Sequence, residues 1–193
     1  MNFFVNLSVK KKIVSVFSVV CIFIILIGVE GIISSDKIND GSMSIYSNNL
    51  QAIKNLEETK GNVNSIRAEM LRIVFERDKS KLDEETNNIN DLTNEDVIYE
   101  KDYLSTPFTS TEEEKAYGDY KSDLIKYREG RVTVINLAKA NNYLEATNLN
   151  IKLDIIRISM SNNLGKCIEI NVKSAEKANL DNIAQFRDRK SVV

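Results

Sequence analysis

Histidine and tryptophan are absent from the 193 residues, which contain one proline and two cysteines. Without histidine the commonest general base near neutral pH is missing, and so is every catalytic triad that depends on it. With no cysteine pair at ligand spacing either, a zinc site would have to be built from carboxylates alone. Cys21 lies inside an apolar run and Cys167 far along a charged helical stretch, so they make no disulfide framework. These absences describe a chain that is not an enzyme and carries no cofactor or metal. The 26 basic and 28 acidic side chains leave a formal net charge of -2, which supplies no long-range field for nucleic acid. One proline and seven glycines mean few helix breakers, and long helices follow from their scarcity.

What is present begins with Ile13 to Ile33, reading IVSVFSVVCIFIILIGVEGII behind Lys10-Lys11-Lys12. The run is long enough to cross a hydrocarbon core of roughly 30 Å as a helix. Glu30, Asp36, Lys37 and Asp40 follow it with mixed sign, so the excess of positive charge places residues 1–12 in the cytoplasm and residues 34–193 outside the cell. A cleaved signal peptide has an apolar region of about 7 to 15 residues ending in a small-x-small site. Here the run continues into Val29-Glu30-Gly31-Ile32-Ile33, which favours an uncleaved anchor in the cell membrane over cleavage or a buried soluble helix.

Periodicity then predicts four helices, over 34–77, 78–104, 111–140 and 143–190. In the first, Ile45, Ala52, Thr59, Ile66 and Ile73 share one heptad position, and Leu56, Val63 and Met70 the other. Asn49 and Arg77 extend the second series at its two ends. Leu82, Ile89, Leu92, Tyr99 and Tyr103 mark one face of the second helix, which Ser105-Thr106-Pro107 stops. Ser110 or Thr111 before Glu112-Glu113-Glu114 reads as an N-cap followed by first-turn acids. The third helix carries Tyr117, Tyr120, Leu124, Tyr127, Val134 and Ala138, with Arg131 interrupting the seam, and Asn141-Asn142 marks the last corner. The fourth carries Leu149, Leu153, Ile156, Met160, Leu164, Ile168, Val172, Ala175, Ile183 and Phe186 as one long stripe. Two long helices enclosing two shorter ones give an all-α fold, a transmembrane helix continuous with an antiparallel up-down-up-down four-helix bundle. If the last helix descends to the membrane, a second span is expected after Val193, and the 193 residues are expected to be a fragment.

The opening NLSVKKKIVSVFSVV, the anchor, the stretches YSNNL and GNVNSIRAE, the element Asn62-x-x-x-x-Arg67 and the late pair of helices resemble the N-terminal region of bacterial methyl-accepting chemotaxis proteins. There a first transmembrane helix leads into a four-helix-bundle ligand-binding domain. The resemblance covers nearly the whole chain and rests on order and length more than on single motifs. It implies a homodimer in which the first long helices of two subunits pack together. It also implies a pocket near the far end of the bundle for a small molecule or a ligand-loaded binding protein, with a displacement of the last helix relayed across the membrane. The alternatives are the same bundle serving a histidine kinase or nucleotide cyclase, and a membrane-anchored structural or adaptor bundle.

In the aspartate receptors of that family, first-helix arginines spaced five and then four apart clamp ligand carboxylates, a task that suits a bidentate guanidinium. Arg67 and Arg72 reproduce the first step; Glu76 stands where the third arginine would be, and Arg77 is displaced by one. Counting about 33 residues up from Ser34 places Arg67 roughly 50 Å above the membrane, and an equal count back from Lys190 reaches Arg157. The candidate site is therefore an anion-friendly pocket of Arg67, Arg72 and Arg157 with Asn62, Lys152 or Ser159. The plainer alternative makes these solvated faces or interhelical pairs with Asp154 and Glu69. Thr59, Asn49 and Arg131, polar at seam positions, either fix register or line a pocket. The tyrosines and Cys167 read as core, and the glutamate clusters as solvent faces and caps.

Overall fold

The computed structural model describes residues 8–192; residues 1–7, which belong to the segment 1–12 read above as cytoplasmic, and Val193 lie outside it. Helix α1 spans Val9–Ser44, a π-helical stretch spans Ile45–Leu50, and helices α2 to α5 span Gln51–Phe75, Leu82–Tyr103, Thr111–Lys139 and Tyr143–Val192. No strand occurs among the described residues, and the fold is an all-α four-helix bundle.

Two compact units divide the chain, Ser44–Lys177 on the one hand and the flanking segments up to Met43 and from Ala178 on the other. In the flanking unit every large apolar side chain from Ile13 to Ile33 is exposed. The stretch reaches a mean hydropathy of 2.8, so among the described residues one helix is long and apolar enough to cross a membrane. Later in α1, Gly41 leaves no room for a Cβ against Asn182, whose Nδ2 donates to Ser42 Oγ at 3.3 Å.

In the Ser44–Lys177 unit the heptad phase decides what is buried. Ala52, Leu56, Val63, Ile66, Met70 and Ile73 all turn inward from α2, each large one contributing about 1.5–3 kcal/mol by leaving water. Ile89 of α3, Tyr120 and Val134 of α4, and Met160 and Leu164 of α5 complete the same cluster. Contacts between helices fix their directions. Asn49 meets Asn171 while Arg67 meets Asp154, so α5 descends as the chain from the π-helical stretch through α2 ascends. Glu100 meets Lys121 while Thr93 meets Arg131, and Glu112 meets Lys166 while Gly130 lies against Leu153, so α4 runs against both α3 and α5.

The corners are built by identifiable side chains. Helix α2 ends where Arg77 takes a left-handed φ of 56°. Asp78 then accepts from Ser80 N at 2.9 Å and Ser80 Oγ at 2.7 Å, a local turn that competes with helix. Residues 78–81, expected as helix, therefore form the corner. Arg77, expected to extend the seam, instead lies over the Tyr143 ring at 5.5 Å. Ser110 caps α4 by accepting from Glu113 N at 3.1 Å. At the other end of α4, Asn142 N donates to Leu137 O at 2.8 Å and Asn141 N to Ala138 O at 2.9 Å, the paired bonds of a Schellman closure. Asn141 carries its φ of 61°, which asparagine tolerates and a Cβ-bearing apolar residue does not. Asn141→Ala is expected to cost about 1 kcal/mol and Asn141→Gly to cost nothing or stabilise slightly, read from thermal unfolding of the whole chain in detergent.

Candidate functional site

Arg67 follows the buried Ile66 on α2, and Asp154 follows the buried Leu153 on α5. One residue turns a helix by about 100°, which puts both charged side chains on the rim where α2 meets α5. Arg67 Nε pairs with Asp154 Oδ1 at 3.0 Å. Arg157 donates from Nε to the same oxygen at 2.7 Å and from Nη1 to Asn64 Oδ1 at 3.3 Å. The hydrogen bond from Arg157, with the two guanidinium charges, holds the Asp154 carboxyl below its ordinary range. The two arginines that helix counting put at one level thus meet on one carboxylate.

Their exposures differ. Arg157 is nearly buried, whereas the Arg67 side chain is 45% exposed. Beside it opens a cleft of about 200 Å³, walled by Arg67, Leu71 and Phe75 of α2 and Ile151 and Asp154 of α5, with Tyr127 of α4 also lining it. Burial pushes the Tyr127 hydroxyl above its ordinary range, so it stays neutral. A guanidinium edge beside apolar and aromatic walls suits an anionic group carried on a small apolar body. Lys152 is exposed and Ser159 half-buried, and neither lines this cleft.

Arg72 and Asn62 do not join that pair. Arg72 donates from Nη1 to Glu69 Oε1 at 2.7 Å on its own helix and lines a different cleft, shared with α3. Asn62 faces the α2–α3 seam, where its Nδ2 donates to Asp96 Oδ1 at 3.0 Å and lies within 3.4 Å of Leu92 O. Asp96 is 4% exposed; burial raises its carboxyl to about 6, against the Asn62 hydrogen bond and the charges of Arg128 and Arg131. Arg131, the polar interruption of the α4 seam, is buried and donates from Nη2 to Thr93 Oγ1 at 2.9 Å. Thr59 closes onto its own helix at Asn55 O, 2.9 Å away.

A second polar centre ties the α3–α4 corner to α5 and to the π-helical stretch. Glu113, read from the sequence as part of an exposed acidic cap, is 1% exposed. Its Oε1 accepts from Tyr103 Oη at 2.6 Å and from Asn171 Nδ2, and its Oε2 from Thr109 N and Oγ1, both at 2.7 Å. Asn171 Oδ1 accepts from Asn49 Nδ2 at 3.4 Å. The register role of Asn49 thus has a partner that was not foreseen, although Asn171 lies seven residues after the buried Leu164 and so in phase with it. Cys167 is fully buried here, and burial pushes its thiol up to about 11. Among the described residues no three Asp, Glu, Cys or His side chains are grouped to hold a metal ion.

Residues 6–186 match a family model described as a four helix bundle sensory module for signal transduction. No curated protein and no solved structure matches the chain.

Proposed function

The chain belongs to the four-helix-bundle sensory modules of methyl-accepting chemotaxis proteins, and from that premise we propose that its bundle receives a chemical signal outside the cell and passes it through the membrane. The signal is a small molecule, or a binding protein that carries one. The observation that carries this reading is the Arg67 cleft, which joins α2 to α5. A ligand held there grips the first and last helices of the bundle together, and these are the helices whose relative shift reaches the membrane. Lys10, Lys11 and Lys12 ahead of the apolar run support a cytoplasmic N-terminus. The second copy in the proposed homodimer packs along the first long helix, where Tyr46, Leu50 and Phe75 are exposed.

The test uses the whole chain in lipid nanodiscs, with unfolding temperature measured against a panel of small carboxylates and amino acids. A binding anion raises that temperature by mass action, and Arg67→Ala removes the rise while changing the unliganded protein by less than about 1 kcal/mol, as a half-exposed ion pair should. A ligand-induced rise that survives Arg67→Ala would remove the α2–α5 cleft from the reading. Light scattering on the same particles, before and after a Leu50→Cys cross-link, reports the dimer.

A further inference from the structure

Where α2 gives way to α3, a cleft of about 310 Å³ lies at the lower end of the size range of small-molecule sites. Glu69 and Arg72 come to it from the end of α2, Glu76 and Lys81 from the caps on either side of the corner, and Glu84 and Glu85 from the start of α3. Four carboxylates face two cations, an excess of two negative charges. The cations relieve it in part. Arg72 pairs with Glu69 Oε1 at 2.7 Å, and Lys81 reaches Asp78 at 3.9 Å.

Glu85 is the unusual member. It is 5% exposed, and its carboxylate makes no hydrogen bond or ion pair among the described residues. Burial, then the charges of Glu76 and Glu69, raise its proton affinity. Glu69 Oε2 is buried without a hydrogen-bond partner. A carboxylate buried without a partner is destabilising. The N-terminus of α3 favours Glu84 and Glu85, but Glu76 sits at the C-terminus of α2, where the helix dipole opposes a negative charge. Local helix chemistry therefore accounts for Glu84 and Glu85 at the start of α3 and for Glu69 through its pair with Arg72, and opposes Glu76.

We propose that the α2–α3 cleft binds a small organic dication, an α,ω-diamine being the simplest, with one ammonium on Glu85 and Glu69 and the other toward Glu76 and Glu84. A dication matches the excess charge, and ammonium N–H groups satisfy acceptors that the protein leaves open. Separate carboxylates suit an extended organic cation better than a metal ion, since among the described residues no three acids are grouped to hold one. The site lies apart from the Arg67 cleft and does not depend on it.

Calorimetric titration of the whole chain in nanodiscs at neutral pH tests the idea with 1,4-diaminobutane, against n-butylamine and calcium chloride at matched ionic strength. Diamine binding at least about tenfold tighter than either comparator is expected, each lost charge-assisted bond costing on that order. Glu85→Gln should weaken diamine binding roughly tenfold or more while the protein unfolds no earlier, because the change removes an unpaired buried charge. Arg67→Ala should leave diamine binding unchanged. Absence of diamine binding, equal binding of calcium, or loss of diamine binding in Arg67→Ala with retention in Glu85→Gln would each overturn the proposal. The first two leave the Arg67 reading standing, and the third moves the amine to that cleft.

Discussion

Glu113→Ala is expected to lower the free energy of unfolding by roughly 3–5 kcal/mol, the largest effect of any single substitution outside the apolar core. The carboxylate accepts from Tyr103, Thr109 and Asn171, and truncation leaves these donors without it. Tyr103 and Asn171 are themselves buried, so water cannot replace the lost acceptor at no cost. The corner also loses its side-chain lock on the Thr109 amide. Glu113→Gln should fall between, since one carbonyl oxygen still accepts while the new amide confronts donors. Glu114→Ala, one residue on and exposed, should change stability by less than about 0.5 kcal/mol. Denaturant unfolding of the whole chain in detergent, followed by circular dichroism, measures all three. A loss below about 1 kcal/mol for Glu113→Ala would mean that the network is solvated and does not lock the corner.

This contrast between neighbours marks the limit of what the sequence makes legible. Heptad phase places Leu56, Val63 and Met70 in the core because apolar periodicity and burial have the same physical cause. The Ser110 cap is equally readable, being a local bond within four residues. Glu113 is not. Its run of three acids looks like solvent chemistry, and what buries it is Tyr103 and Asn171, brought from ten and fifty-eight residues away. The same holds for the candidate site. The spacing of Arg67 and Arg157 predicts a common height, and they meet at Asp154. Arg72, five residues after Arg67, is carried by helical rotation to another face and into another cleft. Spacing along one helix fixes height well, but which neighbour a side chain faces depends on how the helices are placed around the bundle.

Asp96→Asn is expected to stabilise the protein by about 2–3 kcal/mol at pH 7.5 and to lose that advantage below about pH 4. Asp96 of α3 is enclosed by Asn62 of α2 and lies near Arg128 and Arg131 of α4, with Glu95 beside it on its own helix. Burial outweighs the arginines and raises its carboxyl from 3.8 to about 6. The folded chain therefore holds this proton more tightly than the unfolded chain does. Between about pH 4 and 6 the native state binds the extra proton, so this group's contribution to stability falls as pH rises through that window and is level above it. Asparagine keeps an oxygen to accept from Asn62 and carries no charge to desolvate. Asp154 works in the opposite sense: its carboxyl is depressed by Arg157 and Arg67, and its contribution is lost as pH falls through the folded pKa. Unfolding of both proteins at pH 4, 5, 6 and 7.5 separates the two carboxylates. Converging stabilities toward low pH would identify Asp96 as the group that titrates near 6. Parallel profiles would mean that its carboxylate is solvated and ionises in the ordinary range, leaving Asp154 and the other paired acids to set the acid limb.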